Sequence, residues 1–505
     1  MKKVLLGTFA ALCLMGVATS VFAAGTQAVF PEGFLWGTAT SSYQVEGGIY
    51  NNDWYEFEKK KGKIDNNDKC GLACDHYNRY KEDLDLALAL NTKVYRMSIE
   101  WARIEPAEGK FDAKELAHYR DVLTEVKKRG MVPFVTIFHF CTPLWLSKKG
   151  AWANDRTPEY FARYAGYLAQ NLGDLVDFWT TQNETMGYLT TGYLAGKWAP
   201  GFKNPIKFYK GMANSIKGHG AAYRIIKQLD AIDCDGDGKP ALVGIVTNYA
   251  IIDPYKPDSA LNRFLAEKIN NLLNHVFIDA ITTGGKFAIE GIEQPKKKRG
   301  KKGVAQMILP QEPNTLDYIG VNYYTRFLIN LSITHPIIGL EQATRTKVDP
   351  KVNDPAGQFE TNDMGWLIYP EGIYRAVMAV KKYGIPIYIT ENGIPDRTGK
   401  KRAKYLTDHL VQLKRAIDDG APVKGYIHWA LMDNFEWAEG FWPKFGLYDV
   451  DYATQKRSLN EGGAFFAEVC KNNGITSKML DSINGAGKSE EDKARYDQLI
   501  RMQDR

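Results

Sequence analysis

Two glutamates carry the chemistry this sequence could do. Glu184 closes "TTQNE" (180–184) and Glu391 stands in "YITENG" (388–393). Each has an asparagine beside it and aromatic residues close by. One such glutamate alone would be read as an ordinary strand-end residue. A pair is different. If folding brings both to one cleft, one can hold a proton while the other is ionised, because each charge raises the proton affinity of its neighbour. An acid facing a carboxylate is what cleavage of a glycosidic bond requires. One group protonates the leaving oxygen; the other attacks the sugar or activates water.

The elements that must position the pair read as strands alternating with helices. Eight apolar runs rich in Val, Ile, Tyr, Phe and Thr predict strands at 33–42, 93–101, 132–140, 177–184, 242–249, 317–324, 386–393 and 424–431. Helical patterns fall between most of them, such as 75–90 and 115–130, the latter ending on Gly130 as a C-cap. This alternation predicts βαβ units and a parallel sheet. Eight units predict an α/β fold, a single (β/α)8 TIM barrel with long βα loops. Polar and aromatic residues gather at the C-terminal ends of the runs: His139, Asn183, Asn248, Asn322, Asn392 and His428. In such a barrel that end holds the active site. Glu184 and Glu391 would end the fourth and seventh strands, on opposite sides of one cavity.

Five stretches in order, "FLWGTATSSYQVEGG" (34–48), "TTQNE", "GVNYYTR" (320–326), "YITENG" and "HWALMDNFEWAEGF" (428–441), closely resemble glycoside hydrolase family 1, the β-glucosidase family. The resemblance runs from about Phe30 to about Cys470. It implies a retaining β-glycosidase, with Glu184 as acid/base and Glu391 as nucleophile. Tyr324 and Arg96 match residues that tune the nucleophile, although Arg96 could equally be a structural ion-pair partner. Asn183 matches the donor to the sugar 2-hydroxyl. Gln44, His139, Trp429, Glu436 and Trp437 match the sugar-gripping pocket, with Asn322 and Phe445 at its edge. A carboxylate at Glu436 would repel a phosphate dianion, so unphosphorylated sugars are expected. The implied activity is hydrolysis of terminal β-D-glucosyl residues, with galactosyl or fucosyl residues as further glycones. A sugar-binding protein without turnover is the alternative. Thr185 departs from the family, which usually has Pro after the acid/base glutamate, and Lys444 stands where Arg is commoner.

The remainder of the chain is read as follows. Residues 1–23 carry Lys2-Lys3, an apolar stretch and a small-residue site ending at Ala23, the pattern of a cleaved signal peptide and hence of a periplasmic or secreted protein. Residues 24–475 form the catalytic barrel, and 476–505 a charged tail. Loss of Lys2 and Lys3, and of no acid, lowers the net charge from +6 by two, too mild a balance to imply nucleic acid. No later segment is long and apolar enough to span a bilayer. Five cysteines remain after Ala23, an odd number; Cys70 and Cys74 could bridge or stay free. "DCDGDGK" (233–239) resembles the start of a calcium loop, but its twelfth position is Gly244 rather than Glu, so a turn is expected and no metal is assigned. No cofactor is implied. The basic run "EQPKKKRGKKG" (293–303) reads as a solvated loop. The partner expected is a small-molecule β-glycoside; the oligomeric state stays open.

Overall fold

Eight short parallel strands close into a barrel in the computed structural model, which describes residues 28–236, 238–284, 288–289, 307–329 and 360–483. The strands are β1 (Leu35–Ala39), β2 (Val94–Ser98), β3 (Val132–Phe138), β4 (Phe178–Asn183), β5 (Leu242–Asn248), β6 (Tyr318–Asn322), β7 (Ile387–Asn392) and β8 (Val423–Trp429). Each pairs with the next, and β8 closes on β1. All eight expected runs are present, trimmed at their ends. The run 93–101 stops at Ser98, because Trp101 opens a short helix, Trp101–Ile104. The run 33–42 stops at Ala39, because Ser42 opens another, Ser42–Val45.

A helix follows each strand: α1 (His76–Ala89), α2 (Ala113–Lys128), α3 (Thr157–Leu172), α4 (Pro205–Leu229), α5 (Val276–Thr282), α6 (Glu371–Val380), α7 (Arg402–Asp418) and α8 (Glu461–Lys471). Local chemistry sets their limits. The Asp112 side chain accepts from the backbone N–H groups of Lys114 and Glu115, opening α2. Tyr119, Val122, Leu123 and Val126 then recur at helical spacing on its buried face. Arg129 caps α2, and Gly130 turns out of it at φ 70°, a conformation that costs glycine little.

The barrel interior is filled, as a closed sheet of this size requires. Phe134, Phe178, Tyr318, Tyr388 and Ile427 form its lower core, with Phe134 stacked on Phe178 at 5.1 Å. Just above, the Tyr318 hydroxyl shares a 2.7 Å hydrogen bond with Thr180. At the C-terminal rim the ladder breaks register on two strands. Between Thr180 and Asn183, β4 spends three residues where β5 spends two. Between Ile389 and Asn392, β7 does the same against β8.

Outside the barrel, Ala28–Val29 pairs antiparallel with Gly474–Ile475. A helix, Ser477–Ile483, opens the expected tail, and Met479 packs on the core. Residues 1–27, the run 293–303 and most of 330–362 lie outside the described residues, as does the tail after Ile483. Among the described residues no helix is long and apolar enough to cross a membrane. Cys70 and Cys74 are buried free thiols, donating to the carbonyls of Tyr43 and Asp433.

Candidate active site

The two register breaks aim the paired carboxylates. Strand side chains alternate faces, so with Thr180 pointing inward, strict alternation would send Gln182 in and Asn183 out. The extra residue on β4 reverses this. Thr181 and Gln182 both face α4, through His219 and the Ser215 carbonyl, and Asn183 turns into the cavity. On β7 the break lets Thr390 and Glu391 both point inward: Thr390 donates to Asn322, and Glu391 meets Arg96 and Tyr324.

Glu184 follows β4 at φ 45°, ψ 45°, left-handed for a residue that is not glycine. Its N–H is anchored to the Val246 carbonyl at 2.8 Å. Thr185 opens the next short helix, Thr185–Leu189. The Thr185 hydroxyl donates to Gln182 Oε1 at 3.1 Å, fastening the turn on which Glu184 stands.

Glu184 and Glu391 have unlike surroundings. Arg96 Nη1 donates to Glu391 Oε1, and the Tyr324 hydroxyl to Oε2 at 2.7 Å. Arg96 is 1% exposed, and its other arm reaches Asn183 Oδ1 at 2.6 Å. Both Glu391 oxygens thus face donors, one of them cationic, which suits a carboxylate acceptor. Among the described residues the donors to Glu184 are neutral amides: Asn322 to Oε1 at 2.7 Å and Asn248 to Oε2 at 3.3 Å. Burial, and then the charge of Glu391, pushes the Glu184 carboxyl up to about 8. A carboxyl that keeps its proton near neutral pH shares one chamber with a carboxylate held by Arg96 and Tyr324.

Around them lies a cavity of about 140 Å³. His139, Trp429, Glu436 and Trp437 line one side. His139 packs at 6.0 Å from Trp429 and 5.8 Å from Trp437, and shares a 3.2 Å contact with Asn183 Nδ2. Burial and the nearby Arg96 charge hold His139 well below its ordinary value, so its ring is neutral. Glu436 accepts from Trp429 Nε1 at 3.0 Å and from Gln44 Nε2 at 2.9 Å. Burial nevertheless raises its carboxyl to about 7.

The expected residues do not all sit in the wall. Glu184, Glu391, Asn183, Tyr324, His139, Trp429, Glu436, Trp437 and Phe445 line the cavity. Gln44, Arg96 and Asn322 stand behind it, fully buried, each holding a lining carboxylate. Asn322, expected at the pocket edge, is instead a partner of Glu184. The cavity wall also includes two tryptophans that sequence reading did not assign, Trp366 and Trp198. Trp366 packs on Tyr324 at 5.7 Å and on Phe445 at 6.3 Å, and Trp198 packs on Trp437 at 6.0 Å. Trp366 and Trp198 lie in loops without a readable motif. Lys444, the other departure, pairs with Asp433 at 3.2 Å, away from the carboxylates.

In the "DCDGDGK" stretch Asp233 accepts from the N–H groups of Gly236 and Gly238, while Asp237 lies outside the described residues. Its twelfth position, Gly244, is in β5, where a side chain would strike the Tyr318 ring. Asp177, Asp233 and Asp235 bring carboxylate oxygens within 4.8 Å of one another, but Asp177 already accepts from the Cys234 N–H.

Comparison with known proteins gives the family. The model of glycosyl hydrolase family 1 matches residues 26–475. The chain belongs to glycosyl hydrolase family 1. It is 36% identical over 468 residues to a protein named beta-glucosidase A from Thermotoga maritima, covering 88% of this chain and 98% of that protein. A beta-galactosidase from Pyrococcus woesei is 33% identical, covering 90% and 99%. Among solved structures, a beta-glycosidase from Pyrococcus horikoshii superposes with a TM-score of 0.77 at 36% identity, covering 91% of this chain and 98% of that one. A Thermotoga maritima beta-glucosidase in complex with glucoimidazole gives 0.75 at 31%, covering 89% and 100%. The family 1 fold and the paired carboxylates at the rim of one barrel therefore stand together in this chain.

Proposed function

We propose that this family 1 protein is a retaining β-glycosidase that removes terminal β-D-glucosyl residues from unphosphorylated glucosides or oligosaccharides. The observation that carries the reading is the asymmetry of the two carboxyls: Glu391 on a cation and a phenol, Glu184 on neutral amides. In the first step a Glu391 oxygen bonds to the anomeric carbon as the bond to the aglycone oxygen breaks, and that oxygen takes the proton of Glu184. In the second, Glu184 takes a proton from water, the water oxygen bonds to the anomeric carbon, and Glu391 leaves. Two displacements preserve the anomeric configuration. Asn183 lines the cavity and would meet the sugar 2-hydroxyl, while Trp429 and Trp437 would offer flat apolar faces beside Glu436. The names of relatives support glucose as the glycone, with galactose a second choice. Binding without turnover has no observation in its favour, since both carboxyls and Tyr324 are present and engaged.

The test is hydrolysis of an aryl β-glucoside followed by proton NMR. The first sugar formed should be the β-anomer, and Glu391→Ala should abolish turnover. Initial release of the α-anomer, or undiminished activity in Glu391→Ala, would refute the mechanism. The pattern of residues 1–23 further supports export, with cleavage after Ala23. Amino-terminal sequencing of the protein expressed in a bacterial host should begin at Ala24; a cytoplasmic product beginning at Met1 would overturn that part.

A further inference from the structure

A cluster of lysines stands just outside the aromatic wall of the cavity. The helix Asp53–Glu58 lies directly behind that wall. Its Trp54 is fully buried, 4.8 Å from Trp437 and 5.8 Å from Trp198. One turn on, Phe57 packs on Trp54 and touches the loop after the Glu184 strand, where a side chain at Gly201 would come within 3.0 Å of its ring. Lys60 and Lys63 sit over the same ring, at 5.9 and 5.3 Å. The facing loop carries Lys197, next to the cavity-lining Trp198, and Lys203. Lys60, Lys197 and Lys203 are exposed and Lys63 is half-buried.

The lysines are not balanced by ion pairs. Among the described residues none of these four pairs with a carboxylate, whereas nearby Lys59 is held by Glu56. The acids near Lys60 and Lys63 in sequence hold other groups. Glu58 is buried and accepts from the Cys70 N–H and the Tyr43 hydroxyl; Asp68 accepts from the Phe441 N–H, and Asp65 from Trp442 Nε1. Burial, and then the charges of Lys203, Lys60 and Lys197, lower the Lys63 ammonium from its ordinary value, as a cluster of like charge should. Complementing the C-terminal dipole of the helix Asp53–Glu58 would explain Lys60 alone. It does not explain two more lysines brought up on the opposite loop.

We infer that Lys60, Lys63, Lys197 and Lys203 form an anion-selective outer subsite, which favours β-glycosides whose aglycone carries a carboxylate or another anionic group reaching past Trp198. The inference rests on the β-glycosidase reading above. The glycone stays where Glu436 would repel a phosphate; the anion is recognised at the far end of the substrate. Charge of one sign beside a low-dielectric aromatic wall concentrates such substrates and holds their outer end.

The test compares pairs of aryl β-glucosides that differ only in charge. One pair is the 4-carboxyphenyl glucoside and its methyl ester; the other is the two-ring 4′-carboxybiphenyl analogue and its ester. In the wild type the ratio of kcat/KM, acid over ester, should fall as salt rises, for at least one length. In Lys63→Ala/Lys203→Ala that ratio should drop about three- to tenfold at low salt, the range of two charge contacts near the surface, and lose its salt dependence. Lys203→Glu should lower it further. A ratio that neither salt nor these substitutions move would overturn the subsite. If the wild type hydrolyses none of the four, the enzymatic reading fails instead; calorimetric binding of each acid against its ester then decides the subsite alone.

Discussion

Removing the Glu184 carboxyl should separate its two tasks. General acid–base assistance contributes about 10²–10⁴-fold to a step that needs a proton moved. Glu184→Ala should lose about that factor in kcat/KM on glucosides with sugar or alkyl leaving groups, whose oxygen cannot depart unprotonated. A dinitrophenyl glucoside needs no such proton. Its first step should change by less than about tenfold, so the glycosyl-enzyme accumulates and a burst of dinitrophenolate precedes slow turnover. Azide needs no general base and fits the space the carboxyl leaves. It should accelerate the variant, with β-glucosyl azide as product, and leave the wild type unchanged. The pH profile gives an independent check. With a carboxyl raised to about 8, the acid form makes up about nine-tenths of the enzyme at pH 7 and about one-tenth at pH 9. Wild-type kcat/KM should therefore fall through pH 8 as the proton is lost, and Glu184→Ala should lack that alkaline limb. Equal losses on both kinds of leaving group, with no azide effect, would refute the assignment of the acid.

Three shorter expectations follow from contacts on the other residues. Tyr324→Phe removes the 2.7 Å hydrogen bond to Glu391, and a bond to a charged group contributes about 1.5–3 kcal/mol, so kcat/KM on an aryl glucoside should fall at least about tenfold; an unchanged rate would exclude the contact from the reaction. Glu184→Gln should raise the melting temperature more at pH 8 than at pH 5, because the unfolded carboxyl ionises near its ordinary value while the folded one holds its proton to about 8, and stability is lost as pH rises between them; the gain at pH 8 should exceed about 1 kcal/mol, and a gain independent of pH would count against the raised carboxyl. Thr185→Val leaves the buried Gln182 Oε1 without the hydroxyl that now reaches it, which should cost about 1–3 kcal/mol in urea unfolding and lower kcat more than it changes KM; full stability with full kcat would show that the hydroxyl does not fasten the Glu184 turn.

The barrel strands were legible because buried parallel strands read as near-continuous apolar runs, and all eight runs hold one. The positions of Glu184 and Glu391 were legible for the same reason, at the ends of such runs. Their orientation was not. Whether Gln182 or Asn183 faces the cavity depends on one extra residue in β4, and nothing in "TTQNE" marks where the ladder slips. The difference between a wall residue and its support was equally hidden. Gln44, Arg96 and Asn322 belong to the site through the carboxylates they hold, and motif matching does not distinguish holding a sugar from holding its binder. Trp366 and Trp198 escaped because a loop aromatic acquires meaning only from what it packs on, and Trp198 packs on Trp437, far away in sequence.

The arrangement at the rim is costly, and the cost falls where the chemistry is. Phe140, Glu184 and Trp437 all adopt positive φ (68°, 45° and 53°), where a residue with a Cβ gives up about 1–2 kcal/mol. Glu184, Glu391 and Glu436 are buried together, and burial raises the carboxyls of Glu184 and Glu436. Nothing in packing alone calls for these choices, since the same barrel could end in alternating apolar side chains. What the strain accomplishes is direction. The left-handed turn at Glu184 swings its carboxyl back over the strand end toward Asn322 and Asn248, while the break in β7 delivers Glu391 to Arg96 and Tyr324. The filled lower barrel, with Phe134, Phe178, Tyr318 and Tyr388 interlocked, gives the rim a support that does not yield to that strain. Stability and reactivity are thus divided along the barrel axis. Substitutions in the lower core should change how much strain the rim can carry, and substitutions at the rim should relieve strain at the expense of the carboxyl geometry.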